Sequence, residues 1–291
     1  MTVATYFQPT SVAEALALLD EHGSELLVMA GGTVVMPLVN EGISLPDKVM
    51  GLRQAGLDTI ERTDEGTRIG ATVTLTRLTE LEDLPLLAEA ARRTAAWAVR
   101  NMGTVGGNLF TPPPGGDIAV ALLCLDAHVV IAGVGGFRSV PLADFHTGFM
   151  TTVVGLDELV VAVTVPPRPT GERTAFVKFG RKTANTPAVV TVAVRARMDD
   201  DGTAHDVRIA LGAAGPHPLR ARAAEELLEG RRLDAEAIAG AAEAAANESE
   251  PVTDAVASDW YRRRMTGVIT GRALEQLVSS DRLASPVERG A

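Results

Sequence analysis

Apolar residues recur at helical spacing through PTSVAEALALLDEHG, with Thr10 or Ser11 placed to cap the helix and Gly23 to stop it. The short apolar run ELLVMA follows and reads as a buried strand. It ends at Gly31-Gly32, after which TVVMPLVNEG predicts a short helix. Pro37 fits that helix only in its first turn, where a missing N–H has no intrahelical partner. The order is helix, strand, paired glycines, helix. It describes an α/β unit with a loop of bare backbone at the strand's end.

From Leu57 the pattern changes. LDTIERTDEGTRIGATVTL predicts a hairpin turning near Asp64-Glu65-Gly66. LPLLAEAARRTAAWAVRN has one helical stripe through Leu86, Leu87, Ala90, Ala91, Thr94, Trp97 and Ala98. A second glycine pair follows in NMGTVGGNLF, then the breaker cluster PPPGG, with Asp117 positioned to cap the apolar helix IAVALLCLDA. HVVIAG and RSVPL predict paired strands across Gly133 to Gly136, and DELVVAVTVP another strand, ended by Pro166 and Pro167. PPRPTGE reads as a linker. Beyond it, TAFVKFG, PAVVTVAVRARMD and HDVRIALGAAG predict three strands, and three helical segments follow from Pro218 to Leu277. Strands followed by helices describe an α+β module. The expected division is 1–56, 57–170 and 171–285, with a loose tail at 286–291.

Composition narrows the function classes. At 291 residues, 46% of them hydrophobic and 22% charged, the chain is an ordinary globular protein with room for two or three cores. A net charge of −10 argues against a nucleic-acid partner. No run is long enough to span a membrane, and the N-terminus lacks a signal-peptide pattern, so a cytoplasmic location is expected. The single cysteine, Cys124, excludes an internal disulfide and a self-contained iron–sulfur cluster, and it reads as a small buried hydrophobe. His22, His128, His146, His205 and His217 are scattered and form no metal motif. No catalytic acid, base or nucleophile motif is present.

The glycine pairs carry the remaining signal. Either alone is an ordinary turn. Together they suggest two backbone loops against one charged ligand. Amides at a helix start bind phosphate without a basic side chain, and glycine removes the Cβ that would hold the phosphate off. Thr33 and Thr104 hydroxyls are candidate phosphate donors, and Asn108 is expected to fix its own loop through its backbone.

AGGTVV, TVGGNLFTPPPGGDIAVALLCLDAHVVI, and FVKFGRK with AVVTVAVRAR together resemble the FAD-binding medium subunit of the molybdenum hydroxylases, the carbon monoxide dehydrogenase and xanthine dehydrogenase family. The resemblance spans nearly the whole chain. It implies a mixed α/β (α+β) fold of the PCMH type, with two FAD-binding α/β subdomains followed by a C-terminal domain of a three-stranded antiparallel sheet and helices. It implies FAD as cofactor. Leu27, Val28, Met29, Ala30, Gly31, Gly32, Thr33 and Val34 would line the diphosphate and ribose. Thr104, Val105, Gly106, Gly107 and Asn108 would form the second flavin loop. Asp117 would contact the cofactor, a role compatible with a cap. Val160 would touch the flavin region through its backbone. Lys178, if not a solvated strand lysine, would reach the flavin and favour its anionic reduced form.

The partners implied are a molybdopterin-binding large subunit and a 2Fe-2S small subunit, with NAD or another acceptor downstream. Arg262, Arg263 and Arg264 are either a docking patch for a partner or a solvated helix face. Two departures from the family pattern stand out. Val34 replaces a polar residue, which implies weaker flavin retention. Phe149 stands where relatives carry tyrosine near the flavin ring. The alternatives are a stand-alone FAD-dependent oxidoreductase and a flavin-free structural subunit that retains the fold.

Overall fold

The structure, a computed structural model, describes residues 3–182 and 185–279. The expected loose tail at 286–291 lies outside the described residues. The N-terminal part runs β1 (Thr5–Phe7), α1 (Val12–His22), β2 (Leu26–Met29), α2 (Val35–Asn40) and β3 (Lys48–Gly51). These strands form a parallel sheet in the order β1-β3-β2. Ser11 caps α1 by accepting the Glu14 N–H, and Gly23 ends it. Pro37 falls in the first turn of α2. β2 is an edge strand, so its free side remains available to line a cavity.

The middle part contains β4 (Ile60–Thr63), β5 (Gly66–Gly70), α3 (Leu75–Leu78), α4 (Pro85–Arg93), α5 (Trp97–Arg100), α6 (Val105–Leu109), α7 (Asp117–Cys124), β6 (His128–Gly133), β7 (Gly136–Pro141), β8 (His146–Gly148), β9 (Thr151–Thr152) and β10 (Leu159–Val165). Five strands form a sheet in the order β4-β5-β10-β6-β7, with β4-β5 and β6-β7 as the expected hairpins. The single helix predicted through LPLLAEAARRTAAWAVRN is two. It breaks at Thr94–Ala96, where Ala95 takes a φ of 50°. The break lets Thr94 and Ala95 face a cavity and turns Trp97 outward, 69% exposed, off the expected buried stripe.

The last part runs β11 (Glu172–Gly180), β12 (Ala188–Met198), β13 (Thr203–Gly212), β14 (Leu219–Arg220), α8 (Arg222–Leu228), β15 (Arg231–Arg232), α9 (Ala235–Glu248) and α10 (Asp259–Ser279). The three long strands are antiparallel, and the short β14 and β15, not anticipated from sequence, both pair with β13. Arg262 is not a surface residue. It is 2% exposed, pairs with Asp254 and donates to the carbonyls of Ala188, Val189 and Ala213. Both alternatives for 262–264, a docking patch or a solvated helix face, therefore fail at Arg262.

Helix α7 ties the parts together. Every residue from Asp117 to Cys124 is buried, and the same core holds Phe176, Ala193 and Ala210 of the C-terminal sheet. A separate core joins α1 and β3 to Ala132, Leu159 and Val161 of the middle sheet. Each buried Leu or Ile in these layers contributes about 1.5–3 kcal/mol.

Candidate functional site

The two glycine loops meet. A Cβ on Gly31 would stand 1.9 Å from the Met102 carbonyl oxygen, and one on Gly103 would stand 3.5 Å from Thr33 Oγ1. Across the same seam, a Cβ on Gly107 would lie 4.0 Å from the Ala30 methyl. Gly32 supplies the positive φ, 71°, that turns the chain from β2 into α2. Between the loops opens a cavity of about 870 Å³, walled by residues from all three sheets. That volume lies at the upper end of small-molecule and cofactor sites, about 300–1,000 Å³.

The loops contribute differently. No acceptor for the main-chain N–H groups of Gly32, Thr33 and Val34 is found among the described residues, and these groups stand at the start of α2. They are the free donors an anion requires. The amides of the second loop are already bonded within the protein. Val105 N–H donates to Val73 O, Gly106 N–H to Ala71 O, Gly107 N–H to Thr104 Oγ1 and Asn108 N–H to Thr104 O. The expected pair of bare-amide cradles is thus one cradle and one wall. The glycine at 106 is required by close packing, since a Cβ there would lie 2.9 Å from Ala71.

Asn108 does not bond its own loop through its side chain as expected. Its Oδ1 accepts the Ile118 and Ala119 N–H groups at 3.1 and 3.2 Å and so caps α7 from outside. Asp117 is correspondingly not the cap, a position taken by Gly116 with φ 83°. The Asp117 carboxylate is turned to the C-terminal sheet, where Oδ2 accepts from Lys178 Nζ at 2.6 Å and Oδ1 from the Thr191 hydroxyl at 2.8 Å. Lys178 is no solvated strand lysine. Its side chain is 9% exposed, and Nζ also donates to the Arg93 carbonyl. The cavity therefore contains a buried ion pair joining two parts of the fold.

Of the residues predicted for the site, Leu27, Val28, Ala30, Gly31, Gly32, Thr33, Val34, Thr104, Gly106, Gly107, Asn108, Asp117, Val160 and Lys178 line the cavity. Met29 and Val105 do not, and Val105 is wholly buried in the core behind the second loop. Phe149 is 57% exposed and is not among the residues that line the cavity. The corresponding wall comes from Thr152, Val154, Gly155 and Leu156. Sequence reading missed that turn because its residues carry no chemistry of their own. Beside them, Glu158 is held by Arg138 and accepts the Gly155 N–H, and the Arg138 hydrogen bonds hold its carboxyl down at about 2. At Val160 the β10–β6 register slips, and pairing with β5 begins only at Ala162, so the main chain there borders the cavity without a full ladder.

Residues 2–168 match the family model for the FAD binding domain in molybdopterin dehydrogenase, and residues 174–277 match that for the CO dehydrogenase flavoprotein C-terminal domain. The chain belongs to the FAD-binding medium subunits of the molybdenum hydroxylases. It is 33% identical to the carbon monoxide dehydrogenase medium chain of Hydrogenophaga pseudoflava, over 92% of this chain and 95% of that one. It is 32% identical to the 6-hydroxypseudooxynicotine dehydrogenase complex subunit alpha of Paenarthrobacter nicotinovorans, over 92% of each. The fold superposes on a chain of the H. pseudoflava carbon monoxide dehydrogenase structure with a TM-score of 0.91 at 34% identity, covering 96% of this chain and 98% of that one. As a member of this family the chain is an FAD-binding oxidoreductase subunit with the mixed α/β fold of the medium chains. No helix among the described residues is long and apolar enough to cross a membrane.

Proposed function

We propose that this medium subunit relays electrons from iron–sulfur clusters of a small partner subunit, fed by a molybdopterin-binding large subunit, to NAD or another acceptor. The observation that carries the reading is the meeting of the Gly31-Gly32 and Gly106-Gly107 loops around one dinucleotide-sized cavity. The relatives' names, a medium chain and a complex subunit, support an assembly of several chains. The single cysteine supports an external electron donor, because a cluster needs several thiolates.

Bound FAD supplies an acceptor that takes electrons singly and passes them on as a pair. The protein's part is to hold and orient it. In this reading the Gly32, Thr33 and Val34 amides take the diphosphate, each hydrogen bond to a charged oxygen contributing about 1.5–3 kcal/mol. The second loop closes the opposite wall. The Val160 main chain and the turn at 154–156 exclude water on one side, and the Asp117–Lys178 pair places an anchored ammonium on the other. No residue is assigned as a general acid or base.

The test is purification of the complex from its native source, with mass spectrometry of accompanying chains and bound cofactors, beside a Gly107→Val variant. Medium chain recovered with cluster and molybdopterin subunits, and flavin lost in the variant, is the expected result. A solitary chain with full NADH-dependent turnover would establish the stand-alone oxidoreductase instead.

A further inference from the structure

Behind the glycine loop, on the side away from the cofactor cavity, lies a separate notch of about 140 Å³. Ala30, Gly31 and Thr104 border both spaces, so the loop that faces the cavity is also the wall of the notch. The remaining lining is Met102 and five polar residues: Arg53, Arg77 and Asp58 are exposed, and Thr72 and Thr74 lie deeper.

Two features are unusual for a surface crevice. The first is a pair of guanidinium groups left poorly used. Among the described residues, Arg53 donates only to the Met102 sulfur and Arg77 only to the Asp58 main-chain carbonyl, and neither lies within ion-pair distance of a carboxylate. A thioether is a weak acceptor for a group with five donors. The second is Thr72, which is 7% exposed and whose Oγ1 is buried without a hydrogen-bond partner. A buried hydroxyl with no partner is costly, and natural structures rarely leave one so. Asp58 offsets part of the positive charge, leaving the notch with one net positive charge on a chain whose net charge is −10.

We propose that this notch is a second anion site, which takes a single small oxyanion of the phosphate class. Arg53 and Arg77 supply charge-assisted donors in the fork geometry that suits such oxygens, and the Thr72 and Thr74 hydroxyls complete the lining. The volume corresponds to about four to five waters at roughly 30 Å³ each, enough for one phosphate or sulfate and too small for a nucleotide. Because Gly31 is shared, an anion here would lie against the same backbone that borders the cofactor cavity. The site itself does not depend on which acceptor or partners the subunit uses.

The test is calorimetric titration of the full chain with inorganic phosphate at constant ionic strength, with chloride as control, on FAD-loaded and flavin-stripped protein. Saturable binding that persists with FAD bound is expected. Arg53→Gln/Arg77→Gln should weaken it by roughly tenfold or more, Thr72→Val by a few-fold, and Asp58→Asn should tighten it. Both arginines are exposed, so circular dichroism and flavin content should show the double variant folded. Binding equal to the chloride control, or unchanged in the folded double variant, overturns the proposal. Binding abolished by FAD would place the phosphate in the cofactor cavity and overturn it as well.

Discussion

The α-carbon of Gly31 is pressed against the Met102 carbonyl, so that a Cβ at 31 would stand 1.9 Å from the oxygen and 2.7 Å from the carbon. Backbone on both sides of the contact leaves no flexible atom to yield. Gly31→Ala should therefore push the two loops apart, at a cost of about 1–3 kcal/mol for overpacking. Flavin absorbance per chain should fall with the melting temperature. Gly240→Ala is the control. It lies within α9 with nothing inside 4 Å of the added methyl, and it should stabilise by about 0.5–1 kcal/mol. Equal behaviour of the two variants would refute the seam.

Val34 occupies the N-cap of α2 and makes no side-chain cap bond. It also borders the cavity. Serine at this position has no helix amide to cap, since the Met36 N–H already donates to Gly32 O and residue 37 is proline, but its hydroxyl can donate to a bound phosphate. Val34→Ser should slow flavin loss on dilution without stabilising the cofactor-free chain. A variant that loses flavin as fast as the parent would remove Val34 from the diphosphate wall.

What was legible from sequence follows from where the signal was local. The β4-β5 and β6-β7 hairpins and helix α7 are set by alternation, turn residues and an unbroken apolar run, all readable within a short window. The break at Ala95 was not, because alanine carries no mark of a positive φ and the helical stripe continues across it. The site divides the same way. Gly31, Gly32 and Gly107 announce themselves, but the role of Asn108 depends on α7 returning to within hydrogen-bond reach ten residues later. The burial of Arg262 depends on carbonyls from β12 and the end of β13, as distant as Ala188. Such partners are tertiary facts, and residue type alone pointed to the wrong ones.

Asp117 and Lys178 come from different parts of the chain, and their side chains are 5% and 9% exposed. Removing one partner strands the other in low dielectric, which costs about 3–5 kcal/mol for a buried pair. Lys178→Met should therefore lower stability by about 3 kcal/mol in denaturant titrations. Asp117→Leu/Lys178→Met should lower it by less than the sum of the single changes. In the folded Lys178→Met protein the flavin reduction potential should move more than the flavin content. Additive stabilities and an unmoved potential would make the pair a surface-like ornament rather than a latch beside the cofactor.

Cys124 is wholly buried in α7, its thiol near the Arg208 carbonyl, and burial pushes its ionisation up to about 12. The thiolate is the reactive form, so the native chain offers none at mildly alkaline pH. Labelling by a chromogenic thiol reagent should be slow and should follow the global unfolding free energy across a denaturant series. Fast labelling of the folded chain would contradict the placement of α7 between the middle and C-terminal sheets.

His146 links the second glycine loop to the C-terminal part. Its Nε2 lies 2.8 Å from the Leu109 carbonyl, and its ring stacks on His217 with centroids 5.9 Å apart and planes 6° from parallel. Burial lowers the His146 pKa from its ordinary 6.5. The Leu109 hydrogen bond opposes that shift, and His217 adds to it. A histidine whose folded value is depressed binds its proton more readily in the unfolded chain. Its stabilising effect is therefore present above about 6.5, the unfolded value, and is lost as pH falls through the lower folded value. The parent should lose stability over that window, and His146→Gln, which keeps a hydrogen-bond donor without the titration, should lose less. Flavin release should follow the same difference, because Leu109 ends the helix carrying Gly106 and Gly107. Parallel pH profiles for parent and variant, in both stability and flavin content, would show that the stacked imidazoles do not report on the loop.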